Sequence, residues 1–159
     1  MITTRPATVA DAALITAHRR AMFESMPNPE DSVLDIMCGA FETWVRERLA
    51  AGRYFGWVIE DGGKIMASAG LMLLDWPPHP LHPSIDKRAY LLNVYVEPQF
   101  RKRGLARQLL QLCMDEAHRL KIPVVTLHSS DAGRRVYEKL GFRATSEMMH
   151  VESRQQAEC

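Results

Sequence analysis

Between Asn93 and Leu110 the chain reads NVYVEPQFRKRGLARQLL, and within it the apolar period changes from that of a strand to that of a helix. Val94 and Val96 alternate as strand residues do. Pro98 cannot donate to a ladder and turns the chain away from its neighbour. Leu105, Leu109 and Leu112 then recur as an apolar stripe, with Gln108, Gln111 and Asp115 on the wetter side. The junction holds Arg101, Lys102 and Arg103 ahead of Gly104. Three cations at a helix entrance oppose its dipole, which favours anions there. A bound phosphate or pyrophosphate resolves that conflict, because first-turn amides point outward and a glycine lets a ligand approach the backbone. The competing reading is a solvated surface run. Neither the P-loop pattern nor G-x-G-x-x-G is present.

The rest of the chain supplies the elements around this junction. Ile2 to Pro6 reads as a first strand, and Thr8-Val9-Ala10-Asp11 as a capping box before a helix marked by Leu14, Ile15, His18 and Met22. Met26-Pro27-Asn28-Pro29 breaks that helix, and a second runs from about Val33 to Ala51, ending at Gly52. Tyr54 to Ile59 and Lys64 to Leu74 are strands joined by a hairpin at Asp61-Gly62-Gly63. A proline-rich loop, Trp76 to Pro83, precedes a strand over about 88–97. A helix over about 103–120 leads to a strand at Pro123 to His128. A final helix, Asp131 to Leu140, is closed by Gly141 and followed by a strand over 142–151. The order is β-α-α-β-β-β-α-β-α-β, a mixed α/β sheet.

At 159 residues the chain is long enough for one full core. Its net charge of +1 gives no global field for nucleic acid or an anionic membrane, and its apolar runs fall short of a spanning segment. Cys38, Cys113 and Cys159 are odd in number and lack CxxC spacing, which favours free thiols in a reducing, cytoplasmic setting. His79 and His82 have no Cys, Asp or Glu at a recurring metal spacing, so no metal is expected.

Two segments carry a family resemblance. Arg101-Lys102-Arg103-Gly104-Leu105-Ala106, preceded by Val94-Tyr95-Val96-Glu97-Pro98, matches an R/Q-x-x-G-x-G/A pyrophosphate motif, and Tyr137-Glu138-Lys139-Leu140-Gly141-Phe142 matches a YEKLGF signature. In order and correctly separated, they resemble the GNAT superfamily of acyl-CoA-dependent N-acetyltransferases. The resemblance implies one domain over 1–159, with a mixed, mostly antiparallel central sheet flanked by helices. It further implies transfer of an acetyl group from acetyl-CoA to a primary amine of a small molecule, by direct attack in a ternary complex. A protein N-terminus or lysine as acceptor, or an acyl-CoA sensor without turnover, are the alternatives. Relatives that pair as dimers make a homodimer compatible with this reading.

By the same resemblance, pantetheine lies along the backbone of Val94, Tyr95 and Val96, where the strand splays from its neighbour at a bulge. The pyrophosphate sits on the turn formed by Arg101, Lys102, Arg103, Gly104, Leu105, Ala106 and Arg107. Ser130 stands where relatives often carry a cofactor-touching asparagine, and equally suits a helix N-cap. The Val96 N–H polarises the thioester carbonyl. Tyr137 donates to the departing thiolate; its other reading is a packing residue. No carboxylate lies on AYLLNVYV or PVVTLH to act as base. Glu97, His128, Asp75, His79 and His82 are nearby candidates beside a proton relay through solvent. Glu24, Glu30, Asp31 and Asp35 either attract a cationic amine or form a solvated acidic face.

Overall fold

Gly62 and Gly63 have φ of 56° and 82°, the left-handed pair that joins right-twisted strands through a two-residue turn. They connect β2 (Tyr54–Asp61) to β3 (Lys64–Asp75) in the computed structural model, which describes residues 1–27 and 30–145. With β1 (Ile2–Pro6), β4 (Lys87–Val96) and β5 (Val125–Leu127) they form one sheet in the order β1-β2-β3-β4-β5. The first three pairings are antiparallel, and β4 with β5 is parallel. Four helices accompany the sheet among the described residues: α1 (Ala12–Glu24), α2 (Asp31–Ala50), α3 (Leu105–Arg119) and α4 (Asp131–Glu138). The predicted mixed α/β class and element order hold up to α4. Residues Met1–His128 form one compact unit, and those from Ser129 onward form a second.

The capping-box residues set the entry to α1. Asp11 accepts from the Thr8 amide at 2.7 Å and from both Arg5 Nη atoms at 2.8 and 2.9 Å. The Arg5 hydrogen bonds, with smaller help from Thr8, hold the Asp11 carboxyl below its usual range. α1 and α2 then cover one side, where Ala12, Ile15, Phe41 and Val45 cluster with Tyr54 of β2, and Trp44 and Leu92 pack against them. α3 buries Leu105, Leu109, Leu110, Cys113 and Ala117 and packs on β2, β3 and β4. Its inward row therefore runs through Cys113 and Ala117, while Leu112, placed in the stripe by sequence, is only half-buried. Steps of four residues keep one face inward, and Leu112 lies off the 105-109-113-117 row. Truncating a fully buried leucine such as Leu109 to Ala would cost about 2–5 kcal/mol.

The end of α1 follows the sequence expectation, and the segment after α4 departs from it. α1 stops at Glu24, before Met26-Pro27, and Asn28 and Pro29 lie outside the described residues. Of the strand expected over 142–151, residues 142–145 have no strand conformation and 146–151 lie outside the described residues. α4 closes as predicted. Gly141 has φ 92°, its N–H reaches the Glu138 carbonyl at 3.0 Å, and the Phe142 N–H reaches the Tyr137 carbonyl at 3.1 Å.

Candidate active site

The site starts from an irregularity in β4. Gly70 pairs with Leu92 and Ser68 with Tyr95, so Asn93 and Val94 together oppose the single residue Ala69. This is a β-bulge, and Asn93 takes a left-handed conformation there, with φ 54°, which asparagine tolerates better than most residues. Asn93 is buried and both ends of its amide are used. Its Oδ1 accepts from Arg19 Nη1 at 2.8 Å, and its Nδ2 donates to the Tyr54 hydroxyl at 3.1 Å. Burial pushes the Tyr54 phenol well above its ordinary pKa of 10, so it stays neutral. Sequence reading passed over Asn93, although an asparagine inside an apolar strand is a poor β-former and a signal for irregular backbone.

Beyond the bulge one edge of β4 is open. β5 pairs only with Ala89, Tyr90 and Leu91, whereas β4 continues to Val96. The Glu97 amide reaches the Met66 carbonyl at 2.9 Å across the antiparallel pair. Since antiparallel residues alternate between bonded and non-bonded positions, Val96 turns its N–H and C=O to the opposite edge. That is the edge without β5. There the Val96 carbonyl accepts from Arg101 Nε at 3.1 Å. Tyr95, between them, pairs inward with Ser68.

The chain leaves this edge through a short turn, Pro98–Phe100, and enters α3. Lys102 and Gly104 both have positive φ, 61° and 77°. Among the described residues, none of the six amides from Lys102 to Arg107 has a hydrogen-bond acceptor; the next one, Gln108, bonds to the Gly104 carbonyl at 3.1 Å. No acidic residue stands in the first turn. A run of unpaired amides with Arg101, Lys102, Arg103 and Arg107 beside it is suited to a polyphosphate. Nothing lies within 4 Å of the direction a β-carbon would take at Gly104, so the turn is spacious.

The candidate bases are largely committed to neighbours. His18 is buried, with Nδ1 2.7 Å from Ser68 Oγ and Nε2 3.4 Å from Glu97 Oε1. Burial pushes its pKa below 6.5, and Glu97 only partly restores it, which leaves the ring neutral near pH 7. His82 is also buried. Its Nδ1 bonds to the Ile85 carbonyl at 2.8 Å and its Nε2 accepts from Arg88 Nε at 2.9 Å, so both nitrogens hold the Trp76–Pro83 loop in place. Asp75 is exposed and pairs with Lys87. His128 Nδ1 shares a hydrogen bond with the Tyr90 hydroxyl at 2.7 Å. The acidic group at the end of α1 gathers on Arg20, with Glu24 at 2.8 Å, Asp35 at 2.7 Å and Asp31 at 3.6 Å. Cys113 is no nucleophile, since burial pushes its thiol up to about 12.

In the second unit, Ser130 is the N-cap of α4 and accepts from the Gly133 amide at 3.2 Å. Tyr137 is half-buried and meets Phe142 edge-on, with ring centroids 6.0 Å apart.

This architecture is shared with known proteins. The chain is similar to a GCN5-related N-acetyltransferase from Ralstonia eutropha JMP134, at 39% identity and a TM-score of 0.90, over 96% of this chain and 99% of that one. It is also similar to a predicted acetyltransferase from Clostridium acetobutylicum, solved with acetyl-CoA, at 27% identity and a TM-score of 0.84, over 96% of each chain. The glucosamine-6-phosphate N-acetyltransferase of Arabidopsis thaliana, at 20% identity and a TM-score of 0.67, covers 96% of this chain and 98% of its own and shares the fold. No curated protein is a significant match. The model of the acetyltransferase (GNAT) family matches residues 16–142, across the bulged strand, the cationic turn and α4. The chain is an acyltransferase and belongs to the GNAT acetyltransferase family.

Proposed function

We propose that this protein transfers an acetyl group from acetyl-CoA to a primary amine of a small molecule by direct attack in a ternary complex. The observation that carries this reading is the open β4 edge running directly into the unpaired amides of Lys102 to Arg107. In that reading Val94, Tyr95 and Val96 offer their strand to pantetheine as a missing neighbour would. Arg101, Lys102, Arg103, Gly104, Leu105, Ala106 and Arg107 hold the pyrophosphate, and Ser130 keeps a hydroxyl proton for a further cofactor contact while capping α4. The Clostridium relative solved with acetyl-CoA supports the choice of co-substrate. The family match crosses both compact units, which supports reading residues 1–159 as one domain.

When the amine attacks, the thioester oxygen gains charge and a thiolate departs. The Val96 N–H, held on the open edge, stabilises the first charge. Tyr137 donates to the second; a phenol of ordinary pKa about 10 helps a thiolate of about 8.5 mainly through an oriented hydrogen bond. β4 and β5 carry no carboxylate, and the amine loses its proton through water. Arg19, bound to Asn93 at the bulge, and the Tyr90–His128 pair are polar groups that a small acceptor would meet in this reading. Free Cys38 and Cys113 suit a cytoplasmic setting. Among the described residues no helix is long and apolar enough to cross a membrane. The resemblance also allows a homodimer, which sedimentation reads directly.

Thiol release from acetyl-CoA across a panel of primary amines tests this function, paired with calorimetry of acetyl-CoA binding. Saturable release with some small amine is expected. Tight binding with release only on peptide substrates would move the acceptor to a protein N-terminus or lysine.

A further inference from the structure

Two consecutive arginines on α1 have opposite surroundings. Arg20 is ringed by Glu24, Asp31 and Asp35. Arg19 has no carboxylate partner among the described residues. Its titratable neighbours are Tyr54, Tyr90 and Cys38, with no aspartate or glutamate among them. The Arg19 guanidinium lies against two aromatic rings, 4.7 Å from the centroid of Phe41 and 5.0 Å from that of Phe23. One nitrogen, Nη1, is fixed to Asn93. Another, Nε, is enclosed and has no hydrogen-bond partner. The third, Nη2, makes no hydrogen bond and is not enclosed.

A half-buried guanidinium with unused donors and no counter-charge is costly, because burial disfavours an unpaired charge. Here it is held by the bulge residue itself, next in sequence to the Val94 edge. Leu92 and Asn93 both face the side covered by α1 and α2. An acceptor reaching the thioester from that side would pass Arg19.

Resting on the acetyl-transfer reading, we infer that Arg19 recognises a carboxylate on the acceptor, so that the substrate is a compact amine that also bears a carboxylate. One cation with one open nitrogen balances a single negative charge, and the adjacent Arg20 is already neutralised. A phosphate monoester, carrying about two charges at neutral pH, would call for a second free cation. Asn93 is the bulge residue and is bonded to Arg19, so Arg19 also positions that backbone.

The test compares γ- and ε-amino acids with their amides, pairs in which the amine keeps nearly the same basicity. In thiol release, each acid should exceed its amide in kcat/KM by about 10- to 100-fold, chiefly through KM, the range for a charge-assisted hydrogen bond. Arg19→Gln should erase the preference, and Arg19→Lys should restore part of it. A thermal-shift titration reads binding without turnover: acids should raise the wild-type melting temperature, whereas amides should not. Equal kcat/KM for acid and amide would overturn the carboxylate assignment and leave acetyl transfer standing. So would an Arg19→Gln protein that retains the preference, or a phosphorylated amine favoured over the carboxylates. If no amine releases thiol but carboxylates still stabilise wild type and not Arg19→Gln, the acetyl-transfer reading fails and the carboxylate site stands.

Discussion

Tyr54 lies across Gly70 on the neighbouring strand, and any β-carbon at Gly70 would fall on the Tyr54 hydroxyl and ring. Gly56 pairs with Gly70 in register, and a β-carbon there would also crowd the Tyr54 ring, at 3.1 Å. The two glycines make the space in which this buried phenol reaches Asn93.

Gly70→Ala should therefore do more than overpack the core. It should cost about 1–3 kcal/mol in urea unfolding, and it should also weaken acetyl-CoA binding, because the displaced phenol releases the bulge. Tyr54→Phe keeps the ring and removes only the Asn93 acceptor, at a cost of about 1–3 kcal/mol for the amide left unpaired. Stability loss in Gly70→Ala with unchanged acetyl-CoA affinity would separate the bulge from cofactor binding.

At the cationic turn, Gly104→Val introduces no collision, so its effect comes from the backbone. A β-branched residue at φ 77° is strained by about 1–3 kcal/mol. The variant should lose acetyl-CoA affinity by more than its melting temperature suggests. Charge reversal at Arg101 or Arg103 should each cost about 1.5–3 kcal/mol of binding. Arg101 reversal should be the more severe, since it also strips the Val96 carbonyl of its partner. Calorimetry showing equal affinity for wild type and Gly104→Val would remove the phosphate reading.

Tyr137→Phe preserves the contact with Phe142 and deletes only the hydroxyl. Turnover should fall about 10- to 1,000-fold with acetyl-CoA binding retained, the range for losing an oriented donor or acid. Single-turnover kinetics are the appropriate measurement, because product release can mask a slower chemical step. An acyl thioester with a better leaving thiol should recover part of the loss. Unchanged single-turnover rates would assign Tyr137 to packing.

His18 gives the fold a pH dependence of known sign. Its pKa is lowered from 6.5, chiefly by burial. Between the folded value and 6.5 the unfolded chain binds a proton that the native state does not, so stability rises with pH there. The contribution is complete above about 6.5 and is lost as pH falls through the folded pKa. Urea midpoints at pH 7.5 and 5.5 should therefore drop further for wild type than for His18→Gln. Asp11 and Glu116, whose pKa values are lowered by hydrogen bonds from Arg5 and Arg119, act at more acid pH than His18. Parallel midpoints in the two proteins would mean that His18 titrates normally.

Local chemistry made most of the frame legible. Gly62-Gly63 announces its hairpin, Gly52 and Gly141 end their helices, and the turn from Arg101 to Ala106 is found by its motif alone. The family resemblance implies a bulge in this strand, but the residue that makes it is a tertiary matter: Asn93 is held by Arg19 and Tyr54, 74 and 39 residues away in sequence. His82 reads as a loop histidine more structural than catalytic, and Arg88 and Ile85 give it that role by making it part of the interior. Which of two adjacent arginines carries a counter-charge also depends on α2, because Asp35 and Asp31 reach Arg20 from there.

The three-residue pairing of β4 with β5 has a consequence for folding equilibrium. An unpaired edge beside a parallel strand leaves backbone groups dependent on water, and exposed edges are templates for association with other chains. A ligand that pairs with this edge only in the native state is linked to folding by mass action, adding about 2.7 kcal/mol at a hundredfold excess over its dissociation constant. The acyl donor would thus serve as a folding ligand, and the amount of native enzyme would follow its supply.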